Sequence, residues 1–335
     1  MRIAVDVMGG DQNLADIVSA GVRCTNEFNE VSIVFVGDET AINDCLTIGA
    51  SHRNIEIVHA DEVVRMSDRP SIAMRKKKRS SMHRAIELVR DGEVNACVSA
   101  GNTGALMAVG RLLLRTVSGI DRPAIIKAIP SVEGRCYLLD LGANINCDAE
   151  NLLQFAAMGS LMCQAVESIE SPRVGLLNIG EEELKGEDQV RITADLLQQQ
   201  DEINYIGFIE GDGIYQSDAD VIVCDGWVGN VALKTSEGLA KYVSQMIDQA
   251  FRENLATKAA GIIANPVLKK LSQRLQPDNY NGASMLGLNG IVVKSHGRSS
   301  LEGFYQAIRE AMKAVKQDLP TVLQARISAT LSGYQ

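Results

Sequence analysis

The sequence is poor in aromatic residues, has no paired-cysteine motif and contains no apolar run of membrane-spanning length. Aromatics are 4% of 335 residues, with a single tryptophan, so no stacking platform for single-stranded nucleic acid is expected. A formal net charge of −9 leaves no general basic face for a phosphate backbone, so nucleic acid is not an expected partner. The seven cysteines include no C-x-x-C, which points to a reducing cytoplasm with neither zinc nor disulfides. The four histidines (His52, His59, His83, His296) show no metal-ligand spacing. Also missing are G-x-G-x-x-G, G-x-x-x-x-G-K-[ST], G-x-S-x-G and H-E-x-x-H. Dinucleotide and P-loop sites, the hydrolase nucleophile elbow and the zincin site therefore have no support.

What remains is an ordinary soluble composition, 46% hydrophobic and 22% charged, with mean hydropathy near zero. The opening "MRIAVDVMGGD" reads directly as a first core strand, and no signal peptide is expected. Apolar strand candidates fall at 3–8, 31–37, 55–60, 96–100, 124–129, 136–141, 173–179, 203–209, 221–224 and 290–294. Helical periodicity lies between most of them, as at 83–90, 105–114, 151–165 and 188–199. Continuously apolar strands alternating with helices predict a three-layer α/β/α fold around a largely parallel sheet. We expect one catalytic domain spanning 1–335, with a lobed sheet allowed.

Ligands of such sheets bind beyond the strands' C-terminal ends. Six of those ends carry Gly beside polar residues: "DVMGGD", "SAGNTGA", "DLGANINCDAEN", "GEEELKGED", "DGWVGNVALKT" and "SHGRSS". Together they predict a ligand site at one sheet edge. Gly, Asn and Thr at helix N-termini offer N–H and short side-chain donors, which suit a small oxyanion such as phosphate. The candidate contacts are Asp6, Gly9, Gly10, Asp11, Gly101, Asn102, Thr103, Gly104, Asp140, Asn144, Asn146, Asp225, Lys234, Ser295, His296 and Gly297. Lys185 is either a catalytic cation or a solvated salt bridge; Asn230 is either a site residue or a helix cap. Asp6, Asp140, Asp148 and Asp225 either orient donors or hold a divalent metal, and their scatter does not decide which.

Two further segments stand out. Arg75, Lys76, Lys77, Lys78 and Arg79 form the densest basic run, either a solvated helix end or a docking surface for an acidic partner. Residues 254–275 read as a helical hairpin broken at Asn265-Pro266. Its apolar face includes Leu255, Ala259, Ile262, Ile263 and Leu268, beside Lys258, Lys269, Lys270 and Arg274. It is either a core or dimer-interface pair, or an element that dips into a membrane surface.

In this order, "DVMGGD", "SSM", "VSAGNTGALM", "DLGAN", "LLNIGEEELKG", "VCDGWVGNVALKT" and "YNGASMLGLNGIVVKSHG" resemble the acyl-acyl carrier protein:phosphate acyltransferase family, over about residues 1 to 330. The resemblance implies a fold like that of phosphotransacetylases and the isocitrate/isopropylmalate dehydrogenases. It implies transfer of a long-chain acyl group from acyl carrier protein to inorganic phosphate, feeding glycerol-3-phosphate acylation by a downstream acyltransferase. Lys185 and Asn230 become the expected catalytic residues, the basic run a docking site for acyl carrier protein, and the hairpin a membrane contact. A homodimer peripheral to the membrane is implied, with no cofactor. The alternatives are a short-chain phosphotransacetylase of the same fold and a non-catalytic membrane scaffold.

Overall fold

The computed structural model describes residues 1–46, 54–132, 134–182, 184–216 and 218–331, with the side chains of 271–275 and 277 excepted. His52 lies outside them. The strands are β1 (Arg2–Asp6), β2 (Ser32–Gly37), β3 (Ile55–His59), β4 (Ala96–Ser99), β5 (Ala124–Ser131), β6 (Gly134–Leu139), β7 (Arg173–Leu177), β8 (Asn204–Ile209), β9 (Val221–Val223), β10 (Ala283–Leu286) and β11 (Ile291–Lys294). The helices are α1 (Leu14–Glu27), α2 (Glu39–Cys45), α3 (Pro70–Lys76), α4 (Ser81–Arg90), α5 (Thr103–Leu114), α6 (Ala149–Glu167), α7 (Asp188–Gln198), α8 (Gly226–Arg252), α9 (Leu255–Leu275), α10 (Leu301–Lys316) and α11 (Leu319–Thr330).

One sheet runs through the chain in the order β3-β2-β1-β4-β11-β10-β5-β6-β9-β7-β8. Its two outer parts are parallel, as the apolar strands predicted. Between them lie three antiparallel pairings: β11 with β10, β10 with β5, and β5 with β6. Three reversals invert direction, so the two parallel halves run opposite ways. This corrects the expectation that all six polar strand ends share one edge. The loops after β1, β4 and β11 leave one edge, and those after β6, β7 and β9 leave the other.

The strand β10 is absent from the sequence expectation. Its four residues lie between Gly282 and Gly287, both at positive φ, so the segment reads as a glycine-rich loop. Helices cover both faces. Residues of α1, α6, α7, α10 and α11 form one apolar cluster with the sheet, around Phe35, Phe155 and Phe304. Residues of α3, α4 and α5 form the other, with Ala232 and Leu233 of α8 packed against it.

The hairpin also differs from expectation. Its arms are α8 and α9, and the turn is at Glu253–Asn254. Asn254 Oδ1 accepts from Thr257 N–H at 2.9 Å and its own N–H donates to Thr257 Oγ1 at 3.0 Å, which starts a new helix there. Pro266 sits inside α9 instead of ending it. It removes one backbone hydrogen bond, but packing along α8, where Gly261 lies against Phe251, carries the helix through. No helix of the described residues is long and apolar enough to cross a membrane.

Candidate active site

Beyond the C-terminal ends of β1, β4 and β11, the sheet's first half is held together by charge. Asp6, Ser99 and Lys294 are register partners on these three adjacent strands. All three are buried. Ser99 Oγ donates to Asp6 at 2.6 Å and accepts from Gly101 N–H at 3.1 Å. Burial raises the Asp6 pKa above the usual carboxylate value, against hydrogen bonds from Ser81 and Ser99. Lys294 Nζ donates to the carbonyls of Ala100, at 3.0 Å, and Ser295. Burial pushes its pKa down to about 8, while the Asp6 carboxylate opposes the shift.

The glycines of these loops serve close approach. A Cβ on Gly9 would lie 2.8 Å from Gly101 N, and one on Gly10, at φ +87°, 2.8 Å from the Ala100 carbonyl. Gly104, in the first turn of α5, lies against Pro70. Asn102 caps α5, accepting from Ala105 N–H at 2.9 Å. Its amide donates to the carbonyls of Met66, at 2.7 Å, and Asp68, at 3.2 Å. Asn102 thus fastens the 66–68 loop over the site.

The second half contributes by sending α8 back across the sheet. Asp140 is buried and accepts from the N–H groups of Ile125, Ala143 and Asn144, while the Asn144 amide donates to Asp140 and Pro123. Burial raises the Asp140 pKa, against these donors. On this platform rests the first turn of α8, capped by Asp225, which accepts from the N–H groups of Trp227 and Val228. Gly226 and Gly229 permit the contact, since a Cβ on Gly229 would lie 1.9 Å from the Asp140 carbonyl. That is the local meaning of "DGWVGN". Asn230 is therefore a residue of the helix's second turn and not its cap.

The two halves meet in a cavity of about 390 Å³. Lys127, Lys234, Lys294, His296 and Arg298 line it, with Thr103, Asn230, Asn281, Ser295 and Gly297. Three lysines and an arginine face two carboxylates, Asp11 and Glu237. Lys127 is buried on β5, and burial lowers its pKa. Glu237 bridges Lys234 at 2.7 Å and Lys127 at 3.6 Å. Burial opposes ionisation of Glu237, yet these lysines hold its pKa below the usual value. His296 Nδ1 accepts from Arg298 N–H at 3.2 Å, and Nε2 lies 3.4 Å from Lys234 Nζ. Burial and the neighbouring Lys234 lower the His296 pKa. The cavity combines positive charge with aimed N–H donors, the chemistry of an oxyanion site.

Sequence reasoning passed over Lys127, Lys294, Asn281 and Glu237. For the lysines a signal existed: each interrupts an apolar strand, in "AIIKAIP" and "IVVKSHG", where a charge is costly. Among the expected residues, Asp11, Thr103, Asn230, Lys234, Ser295, His296 and Gly297 line the cavity. Asp6, Gly9, Gly10, Gly101, Asn102, Gly104, Asp140, Asn144 and Asp225 build its walls in the ways described above. Asn146 is exposed, and its carbonyl accepts from Arg122 at 2.9 Å. Lys185 is not among the lining residues; it stands in the loop after β7, paired with Glu182 at 2.8 Å. That hydrogen bond raises the Lys185 pKa. Asp148 caps α6 through Asn151 N–H at 2.8 Å. Among the described residues no group of three or more His, Cys, Asp or Glu could hold a metal.

The basic run borders the same wall. Arg75, Lys76, Lys78 and Arg79 are exposed, Arg79 pairing with Asp61. Lys77 is instead committed to the fold, donating to the Val63 carbonyl at 2.6 Å and to Asp68 at 2.7 Å.

Residues 1–322 match the family model described as "Fatty acid synthesis protein". A phosphate acyltransferase of Pseudomonas putida is 50% identical over 331 residues, covering 98% of each chain. One of Halorhodospira halophila is 48% identical over 337 residues, covering 100% of this chain and 98% of the relative. A phosphotransacetylase from Streptococcus pyogenes shares the fold, with a TM-score of 0.62 at 17% identity over 95% of this chain and 94% of that one. So does a 4-hydroxythreonine-4-phosphate dehydrogenase from Klebsiella pneumoniae, with a TM-score of 0.55 at 13% identity over 94% and 99%. The family resemblance and fold expected from the loops are thereby shown: the chain belongs to the fatty acid synthesis protein family, alongside the phosphate acyltransferases of these bacteria.

Proposed function

We propose that the cavity binds inorganic phosphate and directs one of its oxygens onto the thioester carbon of a long-chain acyl group carried by acyl carrier protein. The new C–O bond gives a tetrahedral oxyanion; its collapse breaks the C–S bond, releasing acyl phosphate and the carrier thiolate, which takes a proton from solvent. A thiol of pKa about 8.5 leaves without strong acid help, so no activated Ser, Cys or His is needed. The work lies in neutralising phosphate and stabilising the oxyanion. The observation that carries the reading is the convergence of Lys127, Lys294, His296 and Asn230 on one cavity.

In this reading the two buried lysines hold phosphate charge, while Asn230 and His296 donate to phosphate or to the oxyanion. Lys185 is retained from the motif resemblance as a further cation for phosphate. Carrier protein, which is acidic, docks on Arg75, Lys76, Lys78 and Arg79 beside the cavity mouth. The product feeds glycerol-3-phosphate acylation. The enzyme works as a homodimer in the cytoplasm, against the membrane, with the exposed Leu255, Ala259, Ile262 and Ile263 of the hairpin at the lipid surface. Leu268, half-buried, and the more exposed Ile262 both line the cleft between α8 and α9.

The direct assay is acyl-phosphate formation from palmitoyl-carrier protein and phosphate, trapped as the hydroxamate, with acetyl-CoA as the competing donor. Palmitoyl phosphate is the expected product. Activity confined to acetyl-CoA would assign a short-chain phosphotransacetylase, and no product from either would assign a scaffold.

A further inference from the structure

The cation-lined cavity does not end at Lys127. A second cavity of about 350 Å³ opens beyond it and shares Lys127, Leu233 and Glu237 with the first. Away from these shared residues its walls are mostly apolar, formed by Ala128, Ile129 and Pro130 of β5 and by Leu239, Ala240 and Val243 of α8.

The topology makes this channel. The strand β10 pairs with β5 only through Ile126, whereas β6 continues along the other edge to Ser131. Beyond Ile126 one edge of β5 therefore has no strand beside it. The helix α8 passes above, with Leu233, Ser236, Glu237, Ala240 and Val243 at helical spacing along one face. Tyr215 and Tyr280 close the sides.

We propose that this channel receives the hydrocarbon chain of the acyl donor, with the thioester at its Lys127 end and Ala240 setting how much chain enters. The proposal rests on the acyl-transfer reading and adds the residues that select chain length. Two observations support it. The channel is continuous with the site where the reacting carbonyl must sit, sharing Lys127, Leu233 and Glu237 with it. Its polarity changes from cationic to apolar along one axis, as the donor's does from thioester to alkyl tail.

The test measures kcat/KM with octanoyl-, dodecanoyl- and hexadecanoyl-carrier protein for the wild type, Ala240→Phe and Val243→Phe. Each methylene expelled from an apolar site costs about fourfold, so losing three costs about 60-fold. Ala240→Phe should lose about that factor with hexadecanoyl donor and less than about threefold with octanoyl donor. Val243→Phe, one turn farther from Lys127, should spare dodecanoyl donor more than Ala240→Phe does. Should Ala240→Phe fail to fold, Val243→Phe carries the test alone, since its side chain lies on an exposed stretch. Calorimetric titration of the same donors without phosphate reads the channel apart from turnover. If the wild type forms no acyl phosphate but Ala240→Phe still abolishes the chain-length dependence of binding, the acyl-transfer reading fails and the channel stands. An unchanged chain-length profile in both variants overturns the channel. The same profile with an altered mass by light scattering also overturns it, giving the surface to a second copy of the chain.

Discussion

Lysine meets a polar strand-end loop in two different ways here. Lys294 and Lys127 are buried on strands, their pKa values lowered by desolvation. Lys185 is exposed after β7, its pKa raised by the hydrogen bond it donates to Glu182. A surface lysine in an ion pair costs the fold almost nothing and adds little to it. A buried one opposes folding unless its charge is met, and the Lys294 ammonium is met by the nearby Asp6 carboxylate and two backbone carbonyls. The comparison teaches that a charge kept where it is expensive marks the site more sharply than a charge in a glycine-rich loop.

The largest effect should come from the buried pair. Lys294→Ala and Lys127→Ala are each expected to lower kcat/KM for phosphate by a hundredfold or more, on the order of 3 kcal/mol, with circular dichroism confirming the fold. Asn230→Ala should lose a similar factor. Wild-type rates in all three would remove the cavity from the reaction. Lys185→Ala is expected to lower the rate comparably if the motif-derived role holds, and full activity would leave the buried lysines as the phosphate cations.

A pH profile separates the two kinds of lysine. Lys294 is charged below about pH 8 and loses its charge as pH rises through that value. In the free enzyme kcat/KM for phosphate should then fall by about tenfold per pH unit on the alkaline side. Lys294→Arg should push this limb upward at some cost in rate, and Lys185→Ala should leave it in place. A limb that follows Lys185 instead would reverse the assignment.

Smaller effects concern surfaces. Lys76→Glu with Lys78→Glu should raise KM for acyl carrier protein about tenfold at low salt and leave that for phosphate unchanged. Lys77 is omitted from that pair because it anchors Asp68 and the Val63 carbonyl. Ile262→Asp with Ile263→Asp should release the protein from anionic vesicles at unchanged turnover, because these side chains are 78% and 82% exposed. Continued co-sedimentation would give the hairpin to protein packing.

Much of the fold was legible because β1 to β9 and β11 are short apolar runs separated by helical periodicity, a pattern local in the chain. The reversal of the sheet was not. It depends on β10, whose four residues between glycines carry no period, and on β5 and β6 pairing antiparallel. The loops were legible singly as polar strand ends, but neither their split between the two edges of the sheet nor their division of labour was. Asn102 and Asp225 look like ligand donors in sequence and serve as helix caps, since a cap and an anion contact call for the same residue types. Asn230 looked like a cap, and only the seating of Gly226 and Gly229 on the 140–144 platform shows that it is presented one turn later. Lys127 and Lys294 were absorbed into the expected strands 124–129 and 290–294, Lys127 inside its strand and Lys294 at the end of its own, although a lysine among Ile and Val is a costly residue to bury.

The most direct measurement locates the anion itself. Arsenate is a phosphate mimic whose anomalous scattering identifies it in a crystal. The account predicts arsenate in the cavity among Lys127, Lys294, His296 and Asn230. An occupied site only at the Lys185 loop, with the cavity empty, would contradict it.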